Sequence, residues 1–202
     1  MPALLASIPD SFTVIVVDNG SVDDTADIAR AYGARVVYER RAGYGAAVQS
    51  GVEAATHDFV AVMDGDGSMD PRELLDLLEP VESGRVTMAV GRRRPVRSGV
   101  WPWHARAGNT AVCWWLRRRT GAFVYDIAPM RVCRRADLLA LDVRDRRFGY
   151  PLELLLKAQR AGWLIGEYDV SYLPRAEGTR SKVSGSVKGT VRAVRDFARV
   201  LS

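Results

Sequence analysis

A short apolar run that stops abruptly at two aspartates is the feature that most constrains this fold. The run, Phe59 to Met63, has the length and continuous hydrophobicity of a strand buried on both faces of a parallel sheet. Asp64 and Asp66 follow it directly, so both carboxylates are predicted to lie at the C-terminal end of a strand, where open α/β sheets bind their ligands. The next helix is predicted to begin with an N-cap, a first-turn proline and a capping-box glutamate, which are Asp70, Pro71 and Glu73.

Two carboxylates one residue apart repel each other, and a hard divalent cation relieves that repulsion. We therefore predict that Asp64 and Asp66 hold Mg²⁺ or Mn²⁺, ions that need only one or two protein carboxylates at nucleotide sites and keep positions for phosphate oxygens. Gly65 and Gly67 leave room for a ligand beside the backbone. The alternative is that Asp-Gly-Asp-Gly is only a turn, since these residues are also common turn formers.

The composition limits the chain to one domain and indicates an affinity for anions. Its 202 residues are enough for a single well-buried core. The net charge of +5 comes almost wholly from arginine, because lysine occurs at only three positions. Arginine binds phosphate through two parallel hydrogen bonds, which favours phosphate or anionic lipid as a partner, although a GC-rich coding bias would produce the same composition. We expect no nucleic-acid partner.

Cysteine usage and hydropathy favour a cytoplasmic protein. Cys113 and Cys133 are isolated, with neither metal-ligand nor redox spacing, which fits a reducing compartment. No signal peptide opens the chain, and no apolar run approaches the roughly 18 residues that a membrane span needs. We expect a cytoplasmic location with peripheral contact to the inner face of the membrane.

Strands alternate with helices through the first half of the chain, which predicts an α/β fold with a largely parallel sheet flanked by helices. Further strands are predicted at Phe12 to Val17 and at Ala34 to Tyr38. Ser21 and Asp24 are predicted to form the capping box of a helix that ends at Gly33. The polar loops that follow the three strands are expected on one rim of the sheet, and they span residues 18–21, 40–45 and 64–68.

Three motifs in this half resemble the nucleotide-binding half of family-2 glycosyltransferases of the GT-A fold, close to the dolichol-phosphate mannosyltransferase branch. The motifs are VIVVDNGSVDDTADIA, RRAGYGAAVQSGVEAA and FVAVMDGDGSMDP, and the resemblance covers about residues 12–92. It implies that Asp18 contacts the nucleotide base and that Arg41 and Gly45 lie in the donor site. It also implies that the aspartate pair is the Asp-x-Asp motif, which holds the metal and the donor diphosphate.

The acceptor side is expected in the second half. A helix is predicted from Trp103 to Arg119, and the resemblance implies that Arg106 and Asn109 on this helix meet an acceptor phosphate, although serine is more usual at the asparagine position. The resemblance also places Arg131 near this acceptor pocket. The three arginines that end the helix, residues 117–119, have two equally good explanations: a role in the site, or a favourable interaction with the helix dipole.

Glu153, on a later predicted helix, matches the acidic residue that faces the reacting centre in the resembled family. If the acceptor is a hydroxyl, direct displacement with inversion at the anomeric carbon needs a base, and Glu153 is the candidate, with Asp66 as the second catalytic residue. An acceptor phosphate is already ionised and needs no base. The structural alternative is an ion pair between Glu153 and Lys157, one turn later.

The C-terminal part completes the predicted organisation. The segment RAEGTRSKVSGS resembles a loop that closes over donor phosphates, with Arg180 and Lys182 as donor-binding residues, and a solvated run of charges is the alternative. A basic amphipathic helix is predicted over residues 186–202, to lie on an anionic bilayer or, alternatively, to cover the protein's own core. The chain is thus predicted to be one domain, with a donor half at about 12–92 and an acceptor half at about 93–185.

These features together predict metal-dependent transfer of a sugar from a nucleotide-diphosphate sugar to an acceptor, either a polyprenyl phosphate or a small molecule, in building the cell envelope. One alternative is a phosphatase of the haloacid-dehalogenase type, because a strand that ends in DGDGS imitates the nucleophile loop of that family. A second alternative is an inactive module that binds nucleotide sugars.

The resemblance also predicts that the chain lacks the first strand of its fold, which in the family lies inside the sheet and forms part of the base pocket. Met1 falls where the first helix should already be under way. We expect a truncated sequence, a misassigned start or a strand borrowed from another chain, and truncation would weaken donor binding.

Overall fold

The chain folds into alternating helices and strands. A computed structural model describes residues 1–121, 124–127 and 129–175. Its strands are β1 (Ile15–Asp18), β2 (Arg35–Tyr38), β3 (Phe59–Val62), β4 (Met88–Pro95), β5 (Arg131–Arg134) and β6 (Ile165–Tyr172). Its helices are α1 (Pro2–Ala6), α2 (Thr25–Ala31), α3 (Tyr44–Ala54), α4 (Leu74–Glu82), α5 (Trp103–Thr120), α6 (Arg135–Ala140) and α7 (Tyr150–Arg160), and a 3₁₀ turn at Pro71–Glu73 leads into α4.

The strands form two sheets. In the larger sheet the strand order is β3-β5-β4-β6, and the smaller sheet pairs β1 with β2 in parallel. Strands β3, β4 and β6 run in one direction, whereas β5 is antiparallel to both of its neighbours. The predicted α/β fold is confirmed, but the larger sheet is mixed rather than largely parallel, because two of its three strand pairings are antiparallel. Periodicity could not show that β5 is reversed, because side chains alternate in the same way along a strand of either direction.

The two sheets are not hydrogen-bonded to each other within the described residues. Strand β1 pairs with β2 along one edge, and β3 pairs with β5 along one edge. Residues 14–17 and 59–63 instead line a shared cleft. The cleft therefore extends between the two sheets.

Apolar side chains cover both faces of the larger sheet. Along β4, Met88 and Val90 belong to a core with α3, α5 and α7, while Ala89 between them belongs to a second core with α4. This alternation follows from the two-residue period of a strand. Because both faces are buried, the ends of the strands are left to carry the polar site, as the sequence predicts.

The start of α2 differs from the prediction. The helix begins at Thr25 with Asp24 as its N-cap and without a side-chain cap. Ser21 instead donates its backbone N–H to Asp18 Oδ1 at 2.8 Å. The predicted capping box of Ser21 and Asp24 is therefore wrong, because the carboxylate of Asp18 holds the serine in a turn after β1.

The helix after the aspartate pair begins as predicted, but its glutamate acts elsewhere. Asp70 is the N-cap and accepts the backbone N–H of Arg72 at 3.0 Å. Glu73 does not close the capping box, because its carboxylate accepts the backbone N–H of Ser171 in β6, at 2.9 and 3.0 Å. The Glu73 side chain therefore ties the 3₁₀ turn to the edge of the larger sheet.

Two predicted C-terminal features lie outside the described residues: the loop with Arg180 and Lys182, and the helix at 186–202. In the part of the chain that the structure describes, no helix is both long enough and apolar enough to cross a membrane.

Candidate active site

The polar loops that follow β1, β2 and β3 meet beside a cleft with a volume of about 2340 Å³. Asn19 joins the first two loops, because its amide donates to the carbonyl oxygens of Glu39 and Arg41 at 2.9 and 2.7 Å and accepts from the backbone N–H of Gly43 at 2.9 Å. Asp64 and Asp66 of the third loop line the same cleft. The predicted gathering of these loops is therefore observed, and Asn19 is a residue that the sequence did not single out.

Asp64 lies at the end of β3 in a place that disfavours its negative charge. Burial and, to a lesser extent, the charge of Asp66 raise the pKa of its carboxyl to about 6, although Arg131, Arg93 and Arg175 oppose the rise. A carboxylate held in this way gains stability from any cation that reaches it.

The neighbours of Asp66 have the opposite effect, because they lower the pKa of its carboxyl. Burial acts to raise its pKa, but hydrogen bonds from Ser68 and Arg175 outweigh burial and hold the pKa below its usual value. Ser68 donates through its backbone N–H at 3.0 Å and through its hydroxyl at 2.6 Å, and Arg175 forms an ion pair with the other carboxylate oxygen. Asp66 therefore stays ionised, and Arg175, just beyond β6, balances its charge.

Two more arginines approach the aspartate pair from the larger sheet. Arg131 in β5 is 3% exposed and donates to the hydroxyl of Tyr44 at 3.2 Å. Arg93 in β4 forms a two-pronged ion pair with the buried Asp126, at 2.6 and 2.8 Å, and its guanidinium stacks 4.1 Å from the ring centre of Trp101. Both arginines line the cleft, so three guanidinium groups surround the two carboxylates.

The predicted donor residues have different surroundings. Asp18 holds Ser21 in a turn at the end of β1. Arg41 is exposed, and its backbone accepts from Asn19. Gly45 does not line the cleft. A side chain there would meet the backbone oxygen of Asp145 at 2.4 Å, so the glycine is explained by close packing of α3 against that segment.

Only one of the two predicted acceptor residues on α5 lines the cleft. Asn109 lines the cleft and joins α5 to the segment before β5, because its amide donates to the carbonyl oxygen of Tyr125 at 2.9 Å and accepts from the backbone N–H of Ile127 at 3.0 Å. Arg106 lies on the exposed side of the helix and is not among the cleft residues. Of the two, only Asn109 lies where an acceptor in this cleft could contact it.

Glu153 is occupied by structural contacts. One carboxylate oxygen accepts the backbone N–H of Arg144 at 2.9 Å, and the other accepts that of Asp145 at 2.6 Å, while Lys157 lies 3.0 Å away. Burial acts to raise its pKa, but these contacts together hold the pKa below its usual value. Glu153 is not among the cleft residues, so the structural alternative explains it better than the role of a base.

We expect Glu153→Gln to change stability more than catalysis. The amide keeps an acceptor for one backbone N–H and loses the ion pair with Lys157, which should cost about 1 to 2 kcal/mol of the free energy of unfolding. The rate of sugar transfer at saturating substrate should fall less than tenfold. Urea unfolding and initial rates measure the two quantities, and a fall of more than a hundredfold in a protein of parental stability would restore Glu153 as the base.

The aspartate pair fits Mg²⁺ or Mn²⁺ better than a metal that requires a full set of protein ligands. In residues 1–121, 124–127 and 129–175, no group of three or more His, Cys, Asp or Glu side chains is placed to hold a metal. Two carboxylates facing an open cleft match ions that retain water and phosphate oxygens as their other ligands. Burial and the charge of Asp66 raise the pKa of Asp64 despite the three nearby arginines, so a cation bound there would stabilise its ionised form.

The sequence matches the model of a known protein family over residues 3–133, and that family is described as glycosyl transferase family 2. The chain belongs to this family. The predicted membership is confirmed, and the matched range includes the aspartate pair and α5. The phosphatase alternative receives no support.

Relatives of this family 2 glycosyltransferase include an uncharacterized glycosyltransferase of Mycobacterium bovis, which is 54% identical over the whole chain and over 92% of its own length. A dolichyl-phosphate hexose transferase of Haloferax volcanii is 32% identical over 86% of this chain and 75% of its own. Among solved structures, glucosyl-3-phosphoglycerate synthase from Mycobacterium tuberculosis in complex with Mn²⁺ and uridine-diphosphate-glucose has a TM-score of 0.78, with 23% identity over 99% of this chain and 72% of that one. This likeness confirms the GT-A fold.

Sequence reasoning missed two of the residues around the aspartate pair. Arg93 belongs to an arginine triplet, and Arg175 follows a proline at the end of β6, but neither spacing points to residues about 30 to 110 positions away. The available signal was their position, since both follow apolar strand residues just as the aspartates do. Counting charges at every predicted strand end would have found them.

Proposed function

We propose that this protein transfers a sugar from a nucleotide-diphosphate sugar to a polyprenyl phosphate, with Mg²⁺ or Mn²⁺ held by Asp64 and Asp66. The observation that carries the proposal is the placement of these two carboxylates among Arg93, Arg131 and Arg175 in one cleft. A cation and a diphosphate fit this arrangement together, because the carboxylates attract the cation and the guanidinium groups attract phosphate oxygens.

The acidic and the basic residues have different roles in the proposed transfer. When bound, the cation would neutralise charge that develops on the diphosphate as the bond to the sugar breaks. Asp66 has an ordered carboxylate, because Ser68 donates two hydrogen bonds to one of its oxygens. Arg175 now lies against the other oxygen and is close enough to the cleft to meet a phosphate oxygen instead. Arg131 and Arg93 are fixed by Tyr44 and Asp126, so they contribute positive charge without rearrangement.

The choice of a phosphate acceptor rests on the engagement of Glu153 and on the cleft wall. Glu153 is engaged with the 144–145 backbone, and an ionised phosphate attacks without a base. Part of the wall is apolar, with Leu4, Leu5 and Val112 among its residues, which suits a hydrocarbon chain. A relative that is 32% identical carries the name dolichyl-phosphate hexose transferase, which supports the same acceptor class.

Donor binding can be measured by thermal unfolding with UDP-, GDP- and dTDP-sugars, each with Mn²⁺ or with a chelator. A ligand at a hundred times its dissociation constant stabilises the folded state by about 2.7 kcal/mol, which for a chain of this size raises Tm by roughly 5 to 10 °C. We expect one nucleotide class to produce this rise with Mn²⁺ and to lose most of it with the chelator. If no donor raises Tm under either condition, the proposed transfer from a nucleotide-diphosphate sugar is refuted.

The acceptor can then be tested with the donor that binds. A polyprenyl phosphate should accept the sugar, whereas the matching polyprenol should not, because it lacks the ionised nucleophile. 3-Phosphoglycerate serves as a small phosphate acceptor for comparison. Transfer to 3-phosphoglycerate alone would refute the lipid acceptor and leave glycosyl transfer intact.

A further inference from the structure

The outer side of α5 is an unusual surface, because it exposes two tryptophans. Trp103 and Trp114 are 80% and 56% exposed. They are eleven residues apart, which is three helical turns, so they lie on one side of the helix about 16 Å from each other. Between them on this side lie the small residues Ala107, Thr110 and Ala111 and, at its margin, Arg106, whereas Cys113 and Leu116 of the same helix are buried.

The stretch of sequence that contains the two tryptophans carries arginines and no acidic residue. No aspartate or glutamate occurs between Glu82 and Asp126, a stretch that carries nine arginines. The same side of α5 bears the exposed Arg106 and Arg118, and neither forms an ion pair with a carboxylate in the described part of the chain. Arg118 stacks 4.9 Å from the ring centre of Trp114.

We propose that this surface, Trp103, Arg106, Trp114 and Arg118, binds the interface of an anionic membrane. Tryptophan favours the boundary between lipid headgroups and acyl chains, and arginine beside it attracts anionic headgroups. Tryptophan and arginine are also common in protein interfaces, but a protein partner would not make binding depend on anionic lipid, so the vesicle experiment below separates the two. The inference does not rest on the proposed function, because membrane binding requires neither donor nor acceptor.

The position of α5 gives this surface a consequence for the cleft. Ala105, Gly108, Asn109 and Val112 line the cleft, while the two tryptophans face solvent on the same helix. A membrane bound along the outer side of α5 would therefore lie next to the cleft wall. A substrate anchored in that membrane would have a short path to Asp64 and Asp66.

Co-sedimentation of the full chain with vesicles tests the proposal. Vesicles of phosphatidylcholine with 30% phosphatidylglycerol should bind the protein, and pure phosphatidylcholine should bind it much less. Removing two surface arginines with Arg106→Gln and Arg118→Gln should weaken binding about 25-fold, since one arginine near an anionic surface is worth about 1 kcal/mol, or about fivefold. The matched control, Arg30→Gln with Arg40→Gln, removes the same charge from exposed positions near β2 and should weaken binding far less.

A second readout reports contact of the aromatic rings with lipid. Brominated phosphatidylcholine in the anionic vesicles should quench tryptophan fluorescence in the parent, and Trp103→Ala with Trp114→Ala should remove most of that quenching while Tm stays within a few degrees. Parental binding by both α5 variants would place the membrane surface elsewhere and overturn the proposal. So would a parent that ignores anionic vesicles but binds RNA, or one that forms dimers through these tryptophans.

Discussion

Asp66→Asn is expected to lower the rate of sugar transfer by about a thousandfold or more, because a metal that polarises a phosphoryl oxygen contributes several kcal/mol to the transition state. The substitution keeps the shape of the side chain and an acceptor for Ser68, so the fold should persist. It removes the negative charge that pairs with Arg175 and that we propose binds the cation. Initial rates with saturating Mn²⁺ and the donor found by thermal unfolding measure the effect.

The matched control is Asp70→Asn, four residues later. Asp70 is an N-cap that accepts from Arg72, and asparagine caps helices nearly as well as aspartate, so transfer should stay within about twofold of the parent. Tm of both variants should lie within a few degrees of the parent. Full activity of Asp66→Asn with the metal chelated would end the metal proposal, whatever the acceptor is.

Arg93→Ala is expected to destabilise the fold by about 3 to 5 kcal/mol, because it leaves a buried carboxylate without its partner. Asp126 is 1% exposed and accepts three hydrogen bonds from Arg93, two from the guanidinium and one from the backbone N–H. The alanine keeps only the backbone bond. Urea unfolding followed by circular dichroism gives the difference in free energy.

The neighbouring residue supplies the control for this experiment. Arg94 pairs with Asp169, and the two side chains are 56% and 50% exposed, so Arg94→Ala should cost less than about 1 kcal/mol. Replacing the buried pair together, as Arg93→Met with Asp126→Leu, should recover much of the stability, since no buried charge is then left unpaired. Equal losses for Arg93→Ala and Arg94→Ala would contradict the assigned difference in burial.

Local patterns predicted the site where neighbours in sequence are also neighbours in space. The aspartate pair follows its strand directly, and the strand ends bring the loops at 18–21 and 64–68 to one cleft. Glu153 shows the limit of such reasoning, because its helix was predicted but the direction of its side chain was not. Whether that carboxylate faces the cleft or the 144–145 backbone depends on how α7 packs, and packing is a property of the whole core.

The sequence by itself determined the α/β class, most strand and helix positions and the carboxylate pair, because hydrophobic period and turn residues act within about ten positions. Only the tertiary structure decided that β5 runs against its neighbours and that Arg93 and Arg175 approach Asp64 and Asp66. It also decided that Arg106 faces away from the cleft. The physical reason is that burial and electrostatic interaction depend on distance in space. Strand order and the packing of the helices set which distant segments of the chain meet.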